Sequence, residues 1–158
     1  MAGARRSRSR RANVEISEST FLPAIIQKLH GLTEKEVHIG AQGDDELAMI
    51  AGIHEYGSLK AKIPARSFIG TGKKKSQAAI SKQARAGVNN IVQNSETAQG
   101  LLEKIGAIGK EKTLKNFDRI RTPPLSPRYA WRKKGQKNKI LVQEKALRDS
   151  ITFIIVDK

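Results

Sequence analysis

The feature that most constrains this chain is the run Ser150 to Val156, SITFIIV. Its β-branched and aromatic side chains, with no Gly, Pro or charge, favour a strand over any other element. A strand must pair to satisfy its backbone, so extended partners are needed elsewhere. Val37 to Gly40 (VHIG) reads as one, and Val14 and Ile16, alternating with polar residues, as a shorter one.

The rest of the ordered pattern is helical. Leu22, Ile25, Ile26 and Leu29 share a helix that Gly31 stops, with Ser19 or Thr20 as N-cap and Pro23 tolerated in the first turn. Asp44, Asp45 and Glu46 favour the start of a second helix. Its Leu47, Ile50, Ala51 and His54 recur on one face, and Gly57 is its C-cap. Two long helices are expected in the middle of the chain. The first covers Ser76 to Gln93, with Ile80, Ala84, Val88, Ile91 and Val92 on one face. The second covers Thr97 to Ile120, with Leu101, Leu102, Ile105, Ile108, Phe117 and Ile120 inward. Gly87, Gly100, Gly106 and Gly109 either weaken these helices or mark close helix–helix approach. A short helix is expected near Leu141 to Arg148.

The fold class is therefore α+β: one domain over residues 13–158, a small, mostly antiparallel sheet packed with helices. Residues 57–68 form an exposed extended loop, because Pro64 holds Ile63 out of the α region. Residues 121–139 form a Pro- and Lys-rich connection. Ahead of the domain lies a basic arm, residues 1–12, with Arg5, Arg6, Arg8, Arg10 and Arg11 and no acid. Such an arm cannot offset its own ordering entropy and is expected to order only against an external anion.

A chain of 158 residues fits one domain and can build a core without crosslinks. It has no cysteine, so disulfides, thiolate metal sites and cysteine nucleophiles are excluded. No apolar run approaches the roughly 20 residues of a membrane span, and no apolar region follows the basic N-terminus as in a signal peptide. A soluble protein with no membrane partner is expected.

The net charge is +15, and it is segregated. Glu15 to Glu55 holds eight of the 15 acids and two Lys, whereas Glu55 to Glu96 encloses eight basic residues and no acid. Lys110 to Lys139 holds eleven basic residues against two acids. Acidic and basic parts on one molecule can meet head to tail between copies, or the basic parts can face DNA. Aromatics are only 4%, which argues against a platform that stacks single-stranded bases.

Catalytic patterns fail on inspection. His54-Glu55 could open an HExxH zinc motif, but Ser58 stands where the second His belongs. Gly70-Thr71-Gly72-Lys73 hints at a phosphate loop, yet Ser67 and Lys74 occupy positions that require Gly and Ser/Thr. His30, His38 and His54 fall in different expected elements, and the Asp44–Glu46 cluster is explained by a helix start. No enzyme activity, metal or cofactor is expected.

Residues 50–69 read IAGIHEYGSLKAKIPARSFI. This resembles the tail-completion, neck or head–tail joining proteins of tailed bacteriophages. Those carry a helix ending in A-x-I-(H/N)-E-(Y/F)-G, a variable spacer, and I-P-A-R-P-F. Ala51, Ile53, His54, Glu55, Tyr56 and Gly57 match the first half, and Ile63, Pro64, Ala65, Arg66 and Phe68 the second. Ser67 stands where the family has proline. Further on, Pro124-Leu125-Ser126 with Tyr129, Arg132, Lys133 and Gly135 is similar to the family's PLS-x-x-(Y/T)-x-x-x-K-x-G, and Leu147 to Ile151 to its closing L-x-x-S-I. Gln143-Glu144-Lys145 replaces a common Thr-Gly, and the Arg-rich arm is not a family feature.

The resemblance implies a structural virion protein made in the host bacterial cytoplasm and placed at the head–tail junction. There it would form a hexameric ring among neck, connector and tail-tube proteins, with phage DNA passing through the lumen. It also implies that loop 57–68 is an intersubunit surface, with Arg66 and Phe68 touching a neighbour. The competing reading of that loop has Phe68 anchored on its own core and Arg66 solvated. The competing reading of the whole chain is a basic nucleic-acid-binding protein of ribosome- or nucleoid-associated type, motivated by the charge and the arm.

Overall fold

A computed structural model describes residues 21–133, 141 and 145–158. The expected strand at Val14 and Ile16, Ser19 and Thr20 themselves, and the Arg arm lie outside the described residues. The helix that begins at Leu22 nonetheless has Phe21 in its N-cap position, with no side-chain cap, instead of Ser19 or Thr20.

The strand that SITFIIV demands is β2 (Ile151–Asp157), and its partner is β1 (Lys35–Ala41). They pair antiparallel, with Lys35 opposite Asp157 and Ala41 opposite Ile151. Ser150 is not part of the strand; it closes the short helix α6 (Ala146–Asp149). This helix begins later than the one expected near Leu141 to Arg148, since Leu141 lies in a turn and Lys145 has a left-handed backbone at φ of +64°. Between the strands come α2 (Asp45–Tyr56), α3 (Ile69–Val92), α4 (Ala98–Arg119) and α5 (Pro127–Arg132), and α1 (Leu22–His30) precedes β1. The architecture is α+β, a single compact domain of six helices and a two-stranded sheet among the described residues.

Local signals account for several boundaries. Pro23 sits in the first turn of α1, where its missing N–H costs nothing. Asp44 caps α2 by accepting from the Leu47 N–H, and Gly57 ends it with φ of +79°. Thr97 caps α4 by accepting from the Gly100 N–H. Helix α5 has no counterpart among the expected elements; Ser126 and Pro127 start it inside the 121–139 connection.

α3 and α4 pack as an antiparallel hairpin, and the sheet lies on α4. Glycines set the spacing. A Cβ on Gly87 would come within 2.1 Å of Leu101, so this glycine marks close helix–helix approach. A Cβ on Gly106 would lie 2.2 Å from Phe153, and one on Gly109 2.1 Å from Ile39. Those two mark close helix–sheet contacts, although a Cβ on Gly109 would also lie 3.7 Å from Ile80 on α3. Ala51, Phe68, Phe117, Leu141, Leu147 and Ile151 form the main core cluster, which joins α2, the start of α3, the end of α4, and β2.

Candidate functional site

The motif residues from Ala51 to Phe68 and Pro124 meet at the junction of α2, α3 and the connection after α4. Gly57 makes this possible. A Cβ there would lie 2.8 Å from the Ala65 nitrogen and 2.9 Å from the Ile63 carbonyl oxygen, so the chain can fold back on itself only at a glycine. Ser58 and Ile63 then pair as an isolated bridge around a tight turn, and Leu59 stands at its tip, fully exposed. Residues 57–63 are thus a closed turn, and the chain re-enters the protein at Arg66, whose N–H donates to the His54 carbonyl at 2.7 Å.

Glu55 is the centre of the junction. One carboxylate oxygen accepts from the Phe68 and Ile69 N–H groups at 2.8 and 2.9 Å. The other accepts from the Gly70 N–H at 2.9 Å and from the Ser67 hydroxyl at 2.5 Å. A side chain from α2 therefore caps α3, covering three backbone donors at its start and the positive end of its dipole. Burial opposes ionisation of Glu55, but the bonds from Ser67, Gly70, Ile69 and Phe68 prevail and hold its carboxyl below the ordinary value. This remote cap explains why α3 begins at Ile69, seven residues before the expected Ser76. It also gives the Gly70-Thr71-Gly72-Lys73 run its actual role: its backbone donor meets the chain's own carboxylate instead of a phosphate.

Arg66 and Phe68 depart from the picture of an exposed loop. Phe68 is fully buried and meets Phe117 edge-on, with ring centroids 5.2 Å apart, so it anchors the loop on its own core. Arg66 is neither solvated nor offered outward. It is only 5% exposed, and it donates to the carbonyls of Pro123 and Pro124 at 2.8 and 2.9 Å. Residues 66–68 are therefore held inside, which corrects the expectation that all of 57–68 is an exposed extended loop. Asn116 supports the same junction from α4. Its amide donates to the Phe68 carbonyl at 2.9 Å and to the Thr71 hydroxyl at 2.6 Å, while Lys75 donates to its oxygen at 2.6 Å. Asn116 carries no signal in the sequence.

A cleft of about 350 Å³ opens beside this junction, lined by His54, Ile63, Pro64, Arg66, Leu125 and Tyr129, among others. Burial, together with the Arg66 charge, pushes the His54 imidazole below its ordinary value, so it stays neutral to lower pH than a free histidine. Lys133, from the second matching block, is also buried, and burial lowers its ammonium value. Among the described residues no three His, Asp or Glu side chains gather in a way that would hold a metal. None of the described helices is long and apolar enough to cross a membrane.

Large apolar and aromatic groups face solvent near this junction. Tyr56 is 85% exposed and Trp131 83%. The fold and site together define an α+β protein in which a carboxylate cap and a buried arginine clasp tie three segments into one junction. Comparison with known protein families, with curated proteins and with solved structures finds no match.

Proposed function

We propose that this chain is a structural virion protein of a tailed bacteriophage, a ring-forming subunit of the neck or tail-completion type at the head–tail junction. One observation carries the reading: the sequence blocks that resemble this family, at residues 50–69 and from Pro124 to Lys133, pack on each other through Arg66 and the Pro123 and Pro124 carbonyls. Motif residues far apart in sequence thus belong to one structural unit. In this reading Glu55, Gly57, Arg66 and Phe68 build the junction, and the contacts with neighbouring subunits fall to the side chains it leaves outside. Tyr56, Leu59 and Trp131 suit that role, since large exposed apolar and aromatic groups serve as anchors at protein interfaces. Neighbouring neck and tail-tube proteins are the partners, DNA passes through the lumen, and no catalytic role is assigned.

The test is to label tailed particles from the source of the gene with antibody against the purified chain, and to image particles made without it. Label confined to the head–tail junction, with unjoined or DNA-leaking heads in its absence, is the expected outcome. Label absent from virions, with the chain instead on ribosomes or the host chromosome, would favour the nucleic-acid-binding reading that the charge of +15 motivates.

A further inference from the structure

The outer face of α3 is basic and free of carboxylates. The helix is 24 residues long and contains no Asp or Glu. Its buried positions, Gly72, Ser76, Gly87 and Ile91, lie along one side. Lys74, Gln77, Ser81, Lys82, Arg85 and Asn89 recur at helical spacing on the opposite side, and all six are exposed. From Lys74 to Asn89 this stripe runs for about 22 Å at the α-helical rise.

Surface helices ordinarily interleave cations with carboxylates, and α4 does so: Glu111 pairs with Lys115 along the helix, and Lys104 pairs at 2.7 Å with Glu96, just ahead of its first turn. On α3, no carboxylate among the described residues pairs with Lys74, Lys82 or Arg85. The stripe is a row of cations, amides and a hydroxyl with its charge uncompensated.

We infer that this face of α3 is a docking surface for the phosphate backbone of duplex DNA. Three properties of the stripe select that partner. Lysine is depleted in the buried centre of protein–protein interfaces because its ammonium resists desolvation, whereas phosphate contacts leave it partly hydrated. Aromatic side chains are absent from α3, so single-stranded bases have nothing to stack on. Gln77, Ser81 and Asn89 add donors of the kind that hold phosphate and sugar oxygens between the charged contacts. The surface is a backbone reader without sequence preference, and it stands on α3 alone, whether or not the chain forms a ring.

The experiment titrates the full-length protein against a fluorescent duplex of mixed sequence, two helical turns long, at a series of salt concentrations spanning about fourfold. It compares the natural chain with the triple variant Lys74→Gln, Lys82→Gln, Arg85→Gln. A control triple, Lys28→Gln, Lys60→Gln, Lys145→Gln, loses the same charge elsewhere. Glutamine keeps helix propensity, and circular dichroism verifies the fold. Loss of three phosphate contacts should flatten the slope of log affinity against log salt by about 2.7. Over a fourfold rise in salt the natural chain then loses about forty-fold more affinity than the α3 variant. The control should keep the natural slope. Equal slopes for the natural chain and the α3 variant would overturn the inference and leave the Arg arm as the DNA contact. Equal losses in both triples would reduce the effect to net charge and overturn it too. Binding to an acidic polypeptide but not to duplex would overturn it in favour of a protein partner. Oligomeric state, read separately by sedimentation, reports on the ring and not on this surface.

Discussion

Replacing Glu55 separates a structural keystone from a surface acid. The carboxylate accepts four hydrogen bonds, three of them from backbone N–H groups at the start of α3. Losing a side-chain cap on a single helix donor costs about 1 kcal/mol, up to about 2. A hydrogen bond to a charged group contributes about 1.5–3 kcal/mol, and such bonds to one group do not add. Glu55→Ala should therefore lower stability by about 3 kcal/mol, and Glu55→Gln, which keeps one acceptor oxygen, by about 2 kcal/mol. For a domain of this size the alanine variant should melt about 6–12 °C lower. Urea titration followed by circular dichroism measures the difference.

The pH dependence sharpens the test. The folded-state value of Glu55 lies below its ordinary 4.5, so the unfolded chain binds the proton more readily. The stability this group adds is complete above about pH 4.5 and fades as the pH falls through the folded value. The gap between the natural protein and Glu55→Gln should then be constant near neutrality and shrink in acid. A loss under about 0.5 kcal/mol for Glu55→Ala, the range of an ordinary surface substitution, would refute the keystone role.

Arg66→Ala should destabilise the isolated chain by about 2–3 kcal/mol, because two charge-assisted bonds to the Pro123 and Pro124 carbonyls disappear at a buried site; a denaturation midpoint equal to the natural one would return Arg66 to the surface. Gly106→Ala gains about 1 kcal/mol of helix propensity, but its methyl would stand 2.2 Å from the Phe153 ring, so a net loss of about 1–2 kcal/mol is expected in thermal unfolding. Deleting residues 2–11 should leave the melting temperature of the domain unchanged while impairing assembly, the arm's five Arg being expected to meet an acidic face such as the Glu15–Glu55 region of a neighbouring copy; normal yields of DNA-retaining particles would exclude that role.

Elements whose signals are local are legible in the sequence. The β-branched run at Ile151 names its own conformation, Asp44 and Gly57 bracket α2, and Thr97 announces α4. The beginning of α3 is not legible, because its cap sits on another helix and Ser67, the capping-type residue just before Phe68, donates its hydroxyl to that cap instead of covering a helix N–H itself. Arg66 escapes a sequence reading for the same reason. Its partners are two proline carbonyls more than fifty residues away, and a lone Arg in a polar loop looks solvated until they are in place. The spacing of Gly106 and Gly109 is visible, but whether a helix or a sheet approaches them depends on where β2 returns.

The antiparallel pairing of β1 with β2 also imposes an order on folding. β1 leaves the ribosome early, but the strand that completes it is synthesised after every described helix of the domain. The α3–α4 hairpin rests on contacts between sequence neighbours and can form quickly, whereas closing the sheet waits on the most distant pairing among the described elements. Until β2 arrives, the glycine-notched side of α4 has no Phe153 to fill it, and β1 has an unpaired edge open to misassociation. Nascent chains stalled before Ile151 should therefore engage chaperones, and release of the last strand should end that engagement.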